Sequence, residues 1–192
     1  SGQVMILTGS GTAAMETVPL NFALEGDQAL VINGGTFGQR WCDLCEVHGV
    51  SHETLQLGAG ESLDMQVLTE ALGKGVTVLF ATAHETSTGA LFDIEAIARI
   101  THRMGILLVV DAISTICADR FLMDEWHVDI AVLSSQKGLA LPPGLAFIAM
   151  GDLALERLEN IKPRTLYFDV REYLENQKRG QMPYTPASGL FL

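Results

Sequence analysis

Hydrophobic and polar positions along the chain follow two alternating periods. Short runs rich in β-branched and apolar residues close on Gly, Ser, Thr, Asn or Asp, and longer amphipathic runs follow them. The short runs predict strands over residues 4–7, 29–33, 53–57, 76–81, 107–111, 130–134 and 145–150. Two stretches, 76–81 and 106–111, are almost continuously apolar, as expected of strands covered on both faces in a parallel sheet. The longer runs predict helices over 12–24, 37–48, 62–72, 93–104, 153–160 and 170–179. Ser62 is the expected cap of the third, with Asp64 in its first turn. Asp93 is the expected cap of the fourth, which stops before Gly105.

This alternation implies an α/β fold with a mostly parallel seven-stranded sheet flanked by helices. Ligands of such sheets lie beyond the carboxyl ends of the strands, so the polar residues after each strand are where chemistry is expected. Beyond residue 151 the chain is more charged, and its last prolines predict an extended stretch over 180–187. A length of 192 residues fits one domain spanning 1–192.

Composition narrows the picture. Apolar residues make up 48% and charged residues 18%, a balance that supports a packed core rather than disorder. With 23 acidic against 12 basic residues, the formal net charge of −11 argues against nucleic acid or an anionic membrane surface as a partner. A local site for a small anion stays open, because helix N-termini and single basic residues can build one. No apolar stretch approaches the ~18–20 residues of a membrane span. Three cysteines (Cys42, Cys45 and Cys117) form no regular framework, which suits a reducing, cytoplasmic setting. Cys42 and Cys45 have redox-motif spacing, but they share an apolar helical stripe with Trp41 and Val47 and read as core residues.

Candidate chemistry starts from lysine. The chain has four: Lys74, Lys137, Lys162 and Lys178. Lys137 alone has no acidic residue within five positions, and it lies between two apolar strands. That setting predicts a desolvated amine of lowered pKa, able to attack a carbonyl and form a Schiff base; a buried structural lysine is the other reading. Gly9-Ser10-Gly11-Thr12-Ala13-Ala14 follows a strand and opens a helix. Its backbone N–H groups can cradle an anion, with Ser10 and Thr12 adding hydroxyls. The same pattern matches a dinucleotide fingerprint, but the next strand ends in Asn33-Gly34, without the acidic residue such a site wants. A turn without any ligand is the third reading. Asp111 ends the most apolar strand and can pair with a protonated pyridine nitrogen or cap the next turn. His84-Glu85-Thr86-Ser87-Thr88-Gly89 is a hydroxyl-rich loop in which Thr86 can donate to a ring hydroxyl. His84 can act as a base, but no second His lies at ligand spacing, and no metal is expected. Phe37 can stack on a planar ring or pack in the core.

Taken in order, several segments resemble the class V aminotransferases of fold type I. They are Gly9-Ser10-Gly11-Thr12-Ala13-Ala14-Met15-Glu16, Asn33-Gly34-Gly35-Thr36-Phe37-Gly38-Gln39-Arg40, the 84–89 loop and Val110-Asp111-Ala112-Ile113-Ser114. Ser134-Ser135-Gln136-Lys137-Gly138, Pro142-Pro143-Gly144 and Pro183-Tyr184-Thr185-Pro186 complete the set. The likeness is to the alanine–glyoxylate, serine–pyruvate and 2-aminoethylphosphonate–pyruvate aminotransferase group. It implies pyridoxal 5'-phosphate as cofactor and transamination between an amino acid, or 2-aminoethylphosphonate, and a small 2-oxo acid such as pyruvate or glyoxylate. It further implies that Lys137 carries the internal aldimine and shuttles a proton. Asp111 pairs with the pyridine nitrogen, Ile113 packs under the ring, Phe37 stacks on its other face and Thr86 bonds its hydroxyl. Ser10, Gly11, Thr12 and Gln136 bind the phosphate. Thr185, with Tyr184, reaches the phosphate of a neighbouring subunit in a homodimer. Gln136 stands where desulfurases and kynureninases of this class usually have His, which favours transamination. A desulfurase or lyase of the same class, or a cofactor-binding fragment without turnover, is the alternative. Members of the group also carry a segment before the glycine motif and a smaller C-terminal domain with an arginine for the substrate carboxylate. The chain is therefore expected to be the large cofactor-binding domain, with both of those parts absent.

Overall fold

The structure is a computed structural model and describes residues 2–190; Ser1, Phe191 and Leu192, at the ends of the expected 1–192 domain, lie outside the described residues. In chain order the elements are β1 (Gln3–Thr8), α1 (Gly11–Phe22), β2 (Ala29–Asn33), α2 (Thr36–Val47), β3 (His52–Gln56), α3 (Met65–Leu72) and β4 (Val78–Thr82). Next come β5 (His84–Glu85), β6 (Ala90–Leu91), α4 (Ile94–Met104), β7 (Leu107–Asp111), α5 (Met123–Trp126), β8 (Ile130–Ser134), β9 (Leu145–Met150), α6 (Asp152–Glu159) and α7 (Val170–Lys178). A 3-10 turn covers Ser188–Leu190.

Seven strands form one sheet in the order β1-β9-β8-β7-β4-β2-β3. All neighbours pair parallel except β9, which runs antiparallel to both β1 and β8. β2, β4 and β7 are buried along their whole length, which is why their sequences are continuous apolar runs. Successive side chains alternate between two cores. Val31, Phe80, Val109 and Val132 face one core, with α1, α2, α6 and α7; Leu30, Leu79, Val110 and Ala131 face the other, with α3, α4 and α5. Among the described residues no helix is long and apolar enough to cross a membrane.

The expected elements are present with local corrections. The third helix begins at Met65, not at 62: the Asp64 carboxylate accepts from the Gln66 and Val67 amides and is the cap. The 76–81 strand moves to Val78–Thr82, where its ladder with β7 runs from Val78 opposite Leu107 to Thr82 opposite Asp111. The two-residue strands β5 and β6 and the single-turn α5 are too short for a periodic signal, and the pattern does not predict them. Cys42 and Cys45 lie in the core, and burial pushes the Cys45 thiol up to about 12.

Candidate functional site

Because six strands are parallel, β1, β2, β4, β7 and β8 end on one edge, in Thr8, Asn33, Thr82, Asp111 and Ser134. β9 enters the sheet from that edge at Leu145. The residues that follow these ends build the site.

The Gly9–Gly11 loop is fixed first. The Gly9 amide donates to the Gly144 carbonyl (2.9 Å), and the Ser10 hydroxyl caps α1 by accepting from the Ala13 amide (3.4 Å). A Cβ on Gly11 would lie 2.5 Å from Ile113 Cδ1 and 3.3 Å from Ser134 Cβ, so the loop passes directly over both residues. Among the described residues the Gly11 and Thr12 amides have no protein acceptor, and no acidic residue lies in the first turn of α1. The buried Ser134 hydroxyl beside them has no partner there either. These donors suit a small anion.

Asp111 is 4% exposed, and its Oδ1 accepts from the Ile113 amide (2.9 Å). Burial pushes its carboxyl from 3.8 up to about 6 and outweighs the opposing pull of the Ile113 amide and of the Arg40 and Lys137 charges; the Glu85 charge adds to the rise. Asp111, Arg40, Glu85 and Lys137 therefore share one electrostatic neighbourhood. Arg40 bridges two other parts of it. Its Nη1 donates to Thr12 Oγ1 (3.1 Å), and its guanidinium carbon lies 5.0 Å from the centroid of the half-buried Phe37 ring.

Lys137 corrects an expectation. It is exposed, not desolvated. The apolar residues on either side belong to β8 and β9, whereas Lys137 itself sits in the turn that joins them. That turn is nonetheless pinned. A Cβ on Gly138 would overlap the Ile116 carbonyl oxygen, and the Ser135 hydroxyl donates to the Pro142 carbonyl (2.6 Å) and accepts from the Leu145 amide (3.2 Å). Gln136 is exposed in the same turn.

On the far side the Thr86 hydroxyl donates to Ser114 Oγ (3.3 Å), which in turn donates to the His84 carbonyl (3.2 Å). Tyr184 and Thr185 stand apart. The Tyr184 hydroxyl donates to the Leu166 carbonyl (2.7 Å) and its ring stacks on Tyr167, whose own hydroxyl donates to the Thr8 carbonyl (3.1 Å). Thr185 is exposed. Through Tyr167, Tyr184 is tied to the carboxyl end of its own β1, where the Ala187 amide also donates to Thr8 Oγ1 (2.9 Å), and among the described residues no hydrogen bond joins Tyr184 or Thr185 to Lys137, Asp111 or the glycine loop. A cavity of about 710 Å³, lined by residues such as Gly26, Gln28 and Arg164, opens near the amino ends of the strands. It holds none of the groups described above.

Sequence reasoning passed over two charged residues here. Arg40 lies three positions after Phe37 in α2, which places both on one face of the helix. Glu85 reads as an ordinary loop acid, yet it is fully buried.

A family model described as aminotransferase class-V matches residues 1–186. An L-aspartate–glyoxylate aminotransferase of Paracoccus denitrificans is 39% identical over 195 residues, covering 98% of this chain and 49% of that protein. The solved structure of an aspartate aminotransferase of subgroup IV from Thermus thermophilus aligns with a TM-score of 0.90 at 37% identity, over 99% of this chain and 53% of the other. That of an alanine–glyoxylate aminotransferase from Nostoc sp. aligns at 0.91 and 30%, over 98% and 51%. The chain spans about half the length of the curated relatives it matches.

Proposed function

The chain belongs to the class V aminotransferase family, whose members depend on pyridoxal phosphate, and from that premise we propose that its carboxyl-edge site holds this cofactor and moves an amino group between an amino acid and a small 2-oxo acid such as pyruvate or glyoxylate. On this reading the chain supplies the large cofactor-binding domain. The observation that carries the reading is the buried Asp111 carboxylate, bonded to the amide of Ile113, whose side chain lies against the Gly11 loop, and within reach of the Lys137 charge.

Pyridoxal phosphate, when bound, supplies an aldehyde for an amine and an electron sink for the charge left on a substrate carbon. The residues fit it. The Gly11 and Thr12 amides, at the positive end of α1, would hold the phosphate together with Ser10, Thr12 and Gln136. Ile113, already packed over Gly11, and Phe37 would flank the ring. Thr86 orients the ring through its hydroxyl. Asp111 would hold a proton at the pyridine nitrogen, and that cation would offset the cost of its buried charge. Lys137 presents Nζ as the amine nucleophile and then carries a proton to and from the substrate α-carbon. Thr185 and Tyr184 serve the phosphate of a second copy in a homodimer.

Reductive trapping tests this. Incubation with pyridoxal phosphate followed by borohydride is expected to leave one cofactor mass on the peptide containing Lys137, and none there in Lys137→Ala. A label spread over Lys74, Lys162 and Lys178 that the substitution does not change refutes the assignment. Amino transfer is then read in single turnover, as conversion of pyridoxal to pyridoxamine phosphate by L-aspartate, L-alanine or L-serine.

A further inference from the structure

Glu85 is a carboxylate with no exposed surface, and among the described residues no lysine or arginine is bonded to it. Its partners are all neutral donors from two segments. Oε2 accepts from the Phe37 amide (3.0 Å) and the Gly38 amide (2.9 Å). Oε1 accepts from the Ser87 amide (3.2 Å) and the Ser87 hydroxyl (2.6 Å), with a longer bond from the Phe37 amide (3.3 Å). Ser87 Oγ in turn accepts from the Thr36 amide (3.0 Å).

A helix leaves its first amides without intrahelical partners. The N-cap of α2 is Gly35, which has no side chain to satisfy them. Thr36, Phe37 and Gly38 are instead satisfied from another element, by Ser87 and Glu85, while Gln39 bonds the Gly35 carbonyl (2.8 Å). The contact leaves no slack. A Cβ on Gly35 would overlap Ser87 Oγ and lie 2.8 Å from the Glu85 carboxyl carbon, and one on Gly34 would lie 2.7 Å from the Phe92 ring. The positive end of α2, a ready-made anion site, is thus occupied by the protein's own carboxylate, in contrast to the open end of α1. Glu85 immediately precedes Thr86, and it bonds the amide of Phe37.

We propose that Glu85 is the positioning residue of the ring pocket: its buried carboxylate locks the first turn of α2 to the 84–87 loop, so that Phe37 and Thr86 meet the cofactor ring as one preset unit. This rests on the pyridoxal phosphate reading. Preset geometry lowers the ordering cost of binding, so breaking the lock weakens the cofactor's hold even though Glu85 does not touch it.

The test uses Glu85→Ala and Glu85→Gln, compared with the wild-type protein in three measurements. Hydrogen exchange without cofactor reads the lock itself: the Phe37 and Gly38 amides are expected to exchange at least about 10-fold faster in Glu85→Ala. Equilibrium dialysis reads affinity for pyridoxal phosphate, expected to fall about 10-fold or more in Glu85→Ala and by less in Glu85→Gln, which keeps one acceptor oxygen. Visible circular dichroism of the saturated protein reads ring orientation, with an expected loss of amplitude per bound cofactor that a purely structural defect would not cause. Where Glu85→Ala does not fold, Glu85→Gln decides by the same two cofactor readouts. Folded variants with wild-type affinity and wild-type dichroism overturn the proposal. A wild-type protein that fails to bind pyridoxal phosphate overturns the cofactor reading instead, and the exchange rates still report whether the lock exists.

Discussion

Replacing Asp111 by asparagine should stabilise the unloaded protein at neutral and alkaline pH while weakening its hold on the cofactor. Burial raises the Asp111 carboxyl from its ordinary 3.8 to about 6. The folded chain therefore binds this proton more tightly than the unfolded chain does. The proton's contribution to stability is fully present below pH 3.8 and is lost as pH rises through 6. Above that window the ionised carboxylate costs the fold about 3 kcal/mol, at about 1.4 kcal/mol for each pH unit of the interval. The carboxamide of Asp111→Asn has nearly the same shape, can still accept from the Ile113 amide and never ionises. Urea unfolding without cofactor at pH 4, 6 and 8 measures the effect. The variant is expected to gain up to about 3 kcal/mol over wild type at pH 8, with the gap closing toward pH 4. Equal stability at pH 8, or a gap that widens on acidification, would refute the argument that burial dominates at Asp111. In parallel, dialysis should show weaker pyridoxal phosphate binding by the variant, because the neutral amide cannot pair with a pyridinium. Opposite signs for stability and binding mark a charge retained for function.

Two further substitutions separate the site from the scaffold. Gly138→Ala places a Cβ on the Ile116 carbonyl, so thermal or urea unfolding should show a loss of about 1–3 kcal/mol and borohydride trapping at Lys137 should decline with it. Arg157→Met removes the 2.7 Å ion pair with the nearly buried Asp27, along with bonds to the Phe22 and Thr77 carbonyls; a loss of about 3–5 kcal/mol in urea is expected, with trapping at Lys137 unchanged in the protein that remains folded.

Where a buried strand is an apolar run closed by a polar residue, its ends could be read from the chain: β2 and β7 lie at 29–33 and 107–111 as expected, closed by Asn33 and Asp111, whereas β4, equally buried, starts two residues later than its apolar run. Asp93 is likewise the cap that α4 needed. Legibility failed where the deciding partner is distant in sequence or where two local choices are equally good. Ser62 and Asp64 are both acceptable caps, and only geometry selects the carboxylate. The apolar neighbours of Lys137 turn inward as β8 and β9 while the lysine turns outward, because the β8–β9 joint leaves the sheet there. Glu85 gives no local sign of burial. Its donors are the amides of residues 37, 38 and 87, and two of these belong to a helix separated from it by β3, α3 and β4.

The charges of the site also bear on how the proposed cofactor would lie. Two carboxylates and two cations share the neighbourhood: Asp111, Glu85, Arg40 and Lys137. Glu85 is committed to the amides of α2, so the positive end of that helix cannot take a phosphate. The other helix end on this edge beside Asp111, that of α1, has open amides at Gly11 and Thr12, and Arg40 reaches Thr12 Oγ1 from the side. A dianionic phosphate placed there meets N–H donors, a helix dipole and one guanidinium. On the proposed reading Asp111 would then be the carboxylate left for the pyridinium, while the phosphate would stay at α1. With those two groups assigned, Ile113 and Phe37 would flank the ring, and Lys137 would supply its amine from the β8–β9 turn. A phosphate placed against Asp111 instead would make a like-charge contact at a buried carboxylate, a cost that would disfavour that arrangement.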